Sequence, residues 1–98
     1  MFYVHRPYAI EALAKIEGEA AMPRLIETLK DKQNDVQKKA AEVLGNFGDK
    51  VAVPYLIETL KDSDADDVTK SVVYALGQIG DSTAISGLIQ GLKDHVRD

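Results

Sequence analysis

Residues 52–81 read AVPYLIETLKDSDADDVTKSVVYALGQIGD, and the rest of the chain repeats this stretch. Its opening part, PYLIETLKD at 54–62, is matched in eight of nine positions by PRLIETLKD at 23–31. A weaker copy, SGLIQGLKD, follows at 86–94. Because the copies lie 31 and 32 residues apart, the sequence predicts a repeated structural unit of that length.

A second segment follows each of the first two copies. It reads VQKKAAEVLGNFGD at 36–49 and VTKSVVYALGQIGD at 68–81, and HRPYAIEALAKIEG at 5–18 is a more divergent copy. We call the opening part of the unit segment A and the second part segment B. The order of segments predicts one domain over residues 1–98, with a partial repeat at 5–18, full repeats at about 19–49 and 50–81, and a partial repeat at 82–98.

Both segments carry the apolar spacing of an amphipathic α-helix, in which apolar residues recur every three or four positions. In the three A segments, the apolar residues at this spacing are Met22, Leu25, Ile26 and Leu29; Val53, Leu56, Ile57 and Leu60; and Ile85, Leu88, Ile89 and Leu92. In two of the B segments, they are Val36, Ala40, Val43, Leu44 and Phe47, and Val68, Val72, Ala75, Leu76 and Ile79. One helix pair is too small to bury such stripes alone, so consecutive pairs must stack. We therefore expect an all-α fold, an α-solenoid of stacked antiparallel helix pairs without strands.

Glycine and aspartate mark the predicted helix ends. Gly48 and Gly80 stand where a left-handed residue commonly closes a helix, and Asp49 and Asp81 follow as caps for the next helix. The helix breaks are expected near residues 17–19, 31–35, 48–50, 62–67 and 80–82.

Two further pairs of residues recur once per repeat. Asp35 and Asp67 precede the first apolar residue of segment B, where they are expected to cap the helix and to face its positive end. Gly45 and Gly77 lie inside segment B, where a residue without a side chain predicts close contact with a neighbouring helix.

The composition excludes several classes of protein. The chain has 98 residues, no cysteine, and 12 Lys and Arg against 16 Asp and Glu, a net charge of −4. Without cysteine there is no disulfide framework, thiolate nucleophile or zinc-thiolate site. The longest apolar stretch, VAVPYLI at 51–57, is too short to span a membrane, and the acidic balance argues against nucleic-acid binding. We expect a cytoplasmic protein.

The sequence offers no candidate for catalysis, a metal or a cofactor. Its serines have no nearby histidine to activate them, and His5 and His95 stand at opposite ends of the repeat array. The run of Asp62, Asp64 and Asp66 imitates the start of a calcium loop, but the glycine and the glutamate that such a loop requires are absent. These acids are expected to form a solvated turn.

The repeat resembles the short HEAT-like repeat of the phycobilisome-lyase type. That pattern runs approximately A-V-P-x-L-I-x-x-L-K-D and then V-R-x-x-A-A-x-A-L-G-x-I-G-D, which residues 52–62 and 68–81 match nearly throughout. The resemblance covers about residues 5–97. The family usually has arginine just after the opening valine of segment B. In this sequence Gln37 and Thr69 occupy that position, and only Arg6 and Arg97 keep the arginine.

The resemblance implies that the B helices line the concave side of the array. Positions that point away from the apolar stripe then form a grid of nine residues on that side, which includes Pro7 and is flanked by Tyr8, Lys39 and Ser71. The predicted protein-binding residues are Glu11, Lys15, Lys38, Glu42, Asn46, Lys70, Tyr74 and Gln78. Tyr74 is the best anchor, because exposed tyrosine is enriched among binding hot spots.

We therefore expect a non-catalytic scaffold module that binds a protein or peptide partner. The alternative is an accessory subunit of a lyase-like enzyme complex. A nucleic-acid binder like the HEAT-like DNA glycosylases is disfavoured by the absence of tryptophan and by the net charge.

The ends of the array predict self-association. The last A segment carries a full apolar stripe, Ile85, Leu88, Ile89 and Leu92, with no B segment after it. At the other end, a B segment without its own A segment is preceded or opened by Phe2, Tyr3, Val4 and Tyr8. We expect a homo-oligomer through one or both ends, most simply a symmetric dimer that joins like ends.

Overall fold

The computed structural model describes residues 7–96, and these form six α-helices and no strand. The helices are α1 (Pro7–Glu17), α2 (Met22–Thr28), α3 (Asn34–Phe47), α4 (Val53–Asp62), α5 (Asp66–Ile79) and α6 (Ala84–Val96). Short 3-10 turns, Gly18–Ala21 and Lys50–Ala52, lead into α2 and α4. The all-α prediction is confirmed. Outside the described part of the chain lie Phe2, Tyr3, Val4, His5, Arg6 and Arg97, together with the side chains of Leu92 and His95.

The helices stack as the repeat predicts. Segment A forms α2, α4 and α6, the A helices, and segment B forms α1, α3 and α5, the B helices. Each complete pair packs internally, α2 on α3 and α4 on α5. The B helices lie side by side in the order α1, α3, α5, and α4 also packs on α6. The fold is an α-solenoid.

The predicted apolar stripes form the core. Leu25, Leu44 and Leu56 are fully buried, and Leu76 is only 2% exposed. Ile10 brings α1 into the same cluster. Since burying one such side chain contributes roughly 1.5–3 kcal/mol, the stripes are the main favourable contribution to stacking.

The closing glycines and the caps that follow them are confirmed. Gly48 and Gly80 have φ angles of 70° and 69°, the left-handed conformation in which glycine carries no steric penalty. The Asp49 carboxylate then accepts a hydrogen bond from the Val51 amide at 3.0 Å. Asp81 likewise accepts from the Thr83 amide at 3.4 Å, so both B-to-A turns end in a side-chain cap.

The capping role predicted for Asp35 and Asp67 is wrong. The residues at the N-cap positions of α3 and α5 are Gln33 and Ala65, and neither side chain makes a capping hydrogen bond. The helices begin one residue before each aspartate, so both carboxylates lie inside the first turn. There they still face the positive helix end, which is the electrostatic part of the prediction.

Other side chains order the two A-to-B loops. The backbone N–H of Gln33 donates a hydrogen bond to Asp31 Oδ1 at 2.9 Å, and the backbone N–H of Ala65 donates one to Ser63 Oγ at 3.2 Å. At the position where the repeat family has arginine, Gln37 Nε2 donates to the Leu29 carbonyl at 2.7 Å. A neutral amide thus ties α3 to the end of α2.

The close contact predicted at Gly45 is confirmed, and that at Gly77 is wrong. A Cβ on Gly45 would lie 2.8 Å from Ala75 Cα, so α3 and α5 approach each other closely at this point. A Cβ on Gly77 would have no atom within 4 Å. Gly77 occupies the same repeat position one helix later, on the side of α5 turned away from α3, where no described helix packs.

Candidate protein-binding face

The stacking of the B helices brings the predicted grid together along two grooves. Of the eight predicted residues, all but Lys38 line one of the two. The α1/α3 groove has a volume of about 270 Å³ and is lined by Glu11, Ala14, Lys15, Val43, Asn46 and Phe47. The α3/α5 groove has a volume of about 350 Å³ and is lined by Glu42, Asn46, Lys70, Ser71, Tyr74 and Gln78. Asn46 lines both, so the grooves adjoin. We call the side of the protein that they form the B-helix face.

Tyr74 is the large apolar group of the α3/α5 groove. Its side chain is 66% exposed, although its neighbours Ala75 and Leu76 are buried in the core. Across the groove, Gln78 Nε2 donates to Asn46 Oδ1 at 3.3 Å. The ring therefore stands on a helix that core packing and this cross-helix hydrogen bond hold in position.

Lys39 connects the acids of the B-helix face. Its Nζ lies 3.1 Å from Glu42 Oε1 in the same helix and 3.6 Å from Glu11 Oε1 in α1. The pKa of Lys39 is raised, mainly by the hydrogen bond to Glu42, with both carboxylates adding attraction. Sequence reasoning placed Lys39 only at the edge of the grid. The spacing to Glu42 could have indicated the pair within the helix, but the link to Glu11 depends on how α1 packs against α3.

The face is left with a positive character. Lys38 lies 3.8 Å from Asp67 Oδ2, an ion pair between α3 and α5. Lys15 and Lys70 form no ion pair with an acid among residues 7–96. Lys39 offsets only one of the two glutamates that it contacts, so the four lysines Lys15, Lys38, Lys39 and Lys70 against the three acids Glu11, Glu42 and Asp67 give a net charge of +1.

A third groove lies on the opposite side, between A helices. Its volume is about 300 Å³, and it is lined by Ile26, Leu29, Lys30, Gln37, Tyr55, Glu58, Thr59 and Asp62. Tyr55, at 41% exposed, is its aromatic residue. This A-side groove is the natural comparison for any test of the B-helix face.

The described residues form no cluster that could hold a metal ion. No three His, Asp or Glu side chains converge on a common point in the part of the chain that is described. Asp62 ends α4, Asp66 begins α5, and both are exposed with Asp64 between them. Among residues 7–96, every helix is too short or too polar to cross a bilayer.

The residues predicted for self-association divide by position along α6. Ile85 and Ile89 are 58% and 52% exposed, whereas Leu88 is partly buried against the core. Val53, the counterpart of Ile85 in α4, is only 4% exposed. Leu92 belongs to α6, but its side chain lies outside the described set.

Comparison with known families agrees with this architecture. The model of the family described as HEAT repeats matches residues 1–76, and that of the PBS lyase HEAT-like repeat matches residues 70–94. No curated protein matches the chain. HEAT repeats generally mediate protein–protein interactions and are generally non-catalytic. The first match covers more than half of the sequence, and the chain therefore belongs to the HEAT-repeat family.

Proposed function

We propose that this protein is a non-catalytic interaction module that binds a protein or peptide through its B-helix face. One observation carries the proposal: of the eight protein-binding residues predicted from sequence, seven line two adjoining grooves between α1, α3 and α5. The grooves combine an exposed aromatic ring, Tyr74, with two lysines that have no acidic partner among the described residues.

The mechanism of binding is preorganisation. The B helices are fixed by buried leucines, by the Lys39 ion pairs and by the hydrogen bond between Gln78 and Asn46. A partner that docks on this face therefore bears most of the ordering cost itself, which favours a short helix or extended peptide over a large mobile segment.

The charges indicate an acidic partner. Lys15 lies near the C-terminal end of α1 and Lys70 near the N-terminal end of α5, on helices whose axes are two helix spacings, roughly 16–20 Å, apart. A peptide with carboxylates near both ends and an apolar side chain between them would contact both lysines and the Tyr74 ring. Complementary charge of this kind chiefly accelerates association and selects among partners.

An alternative is an accessory subunit of a lyase-like enzyme complex. The observation that favours it is the match of residues 70–94 to the PBS lyase HEAT-like repeat. In such a complex the chemistry would belong to another chain. Co-purification followed by mass spectrometry separates the two functions, since an enzyme subunit or a chromophore would identify the second.

A second property is self-association through the ends of the array. Large apolar side chains are exposed at both ends: Tyr8 and Ile16 on α1 are 69% and 83% exposed, and Ile85 and Ile89 on α6 are more than half exposed. Burial of apolar surface at roughly 25 cal/mol per Å² provides the driving force.

The test of the binding face is a chemical-shift map. A partner is captured on the immobilised protein, identified by mass spectrometry, and titrated into ¹⁵N-labelled protein. The expected shifts fall on α1, α3 and α5 around the two grooves. Shifts centred on the A-side groove, or equal shifts with duplex DNA, would show that the face or the class of partner is wrong.

A further inference from the structure

The first apolar residue of an A helix is buried in α2 and α4, each of which is followed by a B helix, and is exposed in α6. Met22 and Val53 are 6% and 4% exposed, and they open helices that pack on α3 and α5, respectively. Ile85 holds the same position in α6 and is 58% exposed. Within residues 7–96 no B helix packs over it.

At the other end, α1 is a B helix that packs chiefly on α3. Its Ile16 is 83% exposed, although Phe47 and Ile79, which hold that position in α3 and α5, are partly buried against the core. One end of the stack thus has an A helix that no described B helix covers, and the other end has a B helix open on its outer side.

The contacts between B helices follow one register. Glu11 and Lys15 line the groove against α3 in the way that Glu42 and Asn46 line the groove against α5. A residue of α1 corresponds to the residue of α3 that lies 31 positions later in the chain. A residue of α3 corresponds to the residue of α5 that lies 32 positions later, as Asn46 corresponds to Gln78. The register therefore fixes which residues would meet if a further B helix were added beside α5.

In the contact between α3 and α5, Gly45 meets Ala75. Gly77 corresponds to Gly45, and Ala12 corresponds to Ala75, so this register places Gly77 opposite Ala12 of an added α1. Gly77 has open space where its Cβ would be, and Ala12 is exposed. A glycine thus meets an alanine again, as in the contact between α3 and α5. The same register places Tyr74 opposite Tyr8, and these side chains are 66% and 69% exposed.

We infer that a second copy of this chain docks head-to-tail, with its α1 beside α5 and over α6 of the first copy. The α6 helix of one copy and α1 of the next then form a complete helix pair. The inference rests on the self-association proposed above and specifies its geometry. Joining like ends about a two-fold axis would make the two contacting B helices antiparallel and would lose the register of the interface between α3 and α5.

Head-to-tail docking is heterologous, so growth is open-ended unless the rotation closes a ring. Sedimentation velocity across a concentration series should show dimers and then larger species as concentration rises. A strict monomer throughout would refute self-association itself, and a complex that stops at a dimer would refute only the head-to-tail geometry. Neither result bears on the binding of a partner to the B-helix face.

Two variants make the test sharper. Gly77→Leu obstructs the α5 end and Ala12→Arg obstructs the α1 end. Both sites are open in the single chain and leucine favours helix more than glycine does, so the fold is retained, which circular dichroism checks. Each variant alone should be monomeric, because every contact needs an unobstructed α1 from one copy and an unobstructed α5 from the other.

Mixing the two variants should restore one contact and give a heterodimer that grows no further. The intact α1 of the Gly77→Leu chain docks on the intact α5 end of the Ala12→Arg chain. A homodimer of either variant alone would mean that like ends join, and a mixture that stays monomeric would show that the register is wrong. Either result overturns the inference.

Discussion

Gly45 of α3 lies so close to Ala75 of α5 that a Cβ on Gly45 would stand 2.8 Å from the Ala75 Cα and 2.9 Å from its Cβ. Such distances are too short for real atoms, so the absence of a side chain at Gly45 sets the spacing of the two helices. Gly77 has the same place in the next repeat and open space around it. The two glycines thus separate the effect of packing from that of helix propensity.

We predict opposite effects for alanine at these two sites. Gly45→Ala forces the backbone of α5 to move, and overpacking of this kind costs about 1–3 kcal/mol, which outweighs the gain in helix propensity. Gly77→Ala meets no atom and should stabilise the protein by about 0.5–1 kcal/mol. Urea denaturation measures both. Equal gains in the free energy of unfolding would show that α3 and α5 are further apart than described.

The docking of α6 depends on a second pair of glycines. A Cβ on Gly87 would overlap Ile57 of α4, and one on Gly91 would lie 2.9 Å from Leu60 Cγ. Gly87→Ala should therefore loosen α6 from α4 and accelerate amide hydrogen exchange in α6 by roughly tenfold or more, with little change in α3. Gly77→Ala is the matched control, since it adds the same methyl group at an open site. Unchanged exchange in α6 would argue against its close packing on α4.

The cap of α6 has a pH dependence of known sign. The pKa of Asp81 is lowered, mainly because the Thr83 hydroxyl donates a hydrogen bond to its carboxylate. A carboxyl whose pKa is lower in the folded than in the unfolded chain, where it is about 3.9, stabilises fully above about pH 5. That stabilisation is lost as pH falls through the folded value.

A ¹³C titration of the Asp81 carboxyl tests this assignment. The pKa should lie below the ordinary value in the native protein and return toward it in Thr83→Val, which removes the hydroxyl but keeps the shape. An unshifted pKa in the native protein, or no response to Thr83→Val, would mean that the hydroxyl does not bond to the carboxylate.

Helical periodicity predicted the core well because it depends on local geometry alone. Leu44 and Leu76 are buried for the same reason, their recurrence at helical spacing with the other apolar residues. The N-terminal caps of the B helices were not predictable in this way. Several polar residues precede Asp35 and Asp67, and the N-cap positions fall on Gln33 and Ala65, which make no side-chain cap, while Asp31 and Ser63 order the loops.

The binding face was predictable in outline but not in its electrostatics. Spacing placed Tyr74 and Gln78 on the exposed side, where the structure has them. It did not reveal that Lys39 reaches Glu11, because that contact depends on the rotation of α1 against α3. The wrong expectation for Gly77 has a similar cause, since contact depends on whether a neighbouring helix is present.

Lys39 gives a prediction about partner binding. Lys39→Gln removes one positive charge and leaves Glu11 and Glu42 unpaired on the face, so an acidic partner should bind more weakly and associate more slowly. The loss in stability should be small, about 0.5 kcal/mol, as for other exposed ion pairs. Lys30→Gln, in the A-side groove, is the control of equal charge change. Association rates at low and high salt measure the effect, and a partner unaffected by Lys39→Gln would not be using this charge.

The most direct test of the binding face compares two tyrosines. Tyr74 and Tyr55 are both exposed, one in the α3/α5 groove and the other in the A-side groove. Isothermal titration of the captured partner against Tyr74→Ala should show a loss of more than about 1 kcal/mol in binding free energy. Tyr55→Ala, Glu27→Ala and Glu58→Ala should change it little. Equal losses at Tyr74 and Tyr55, or a larger loss at Tyr55, would contradict the assignment of partner binding to the B helices.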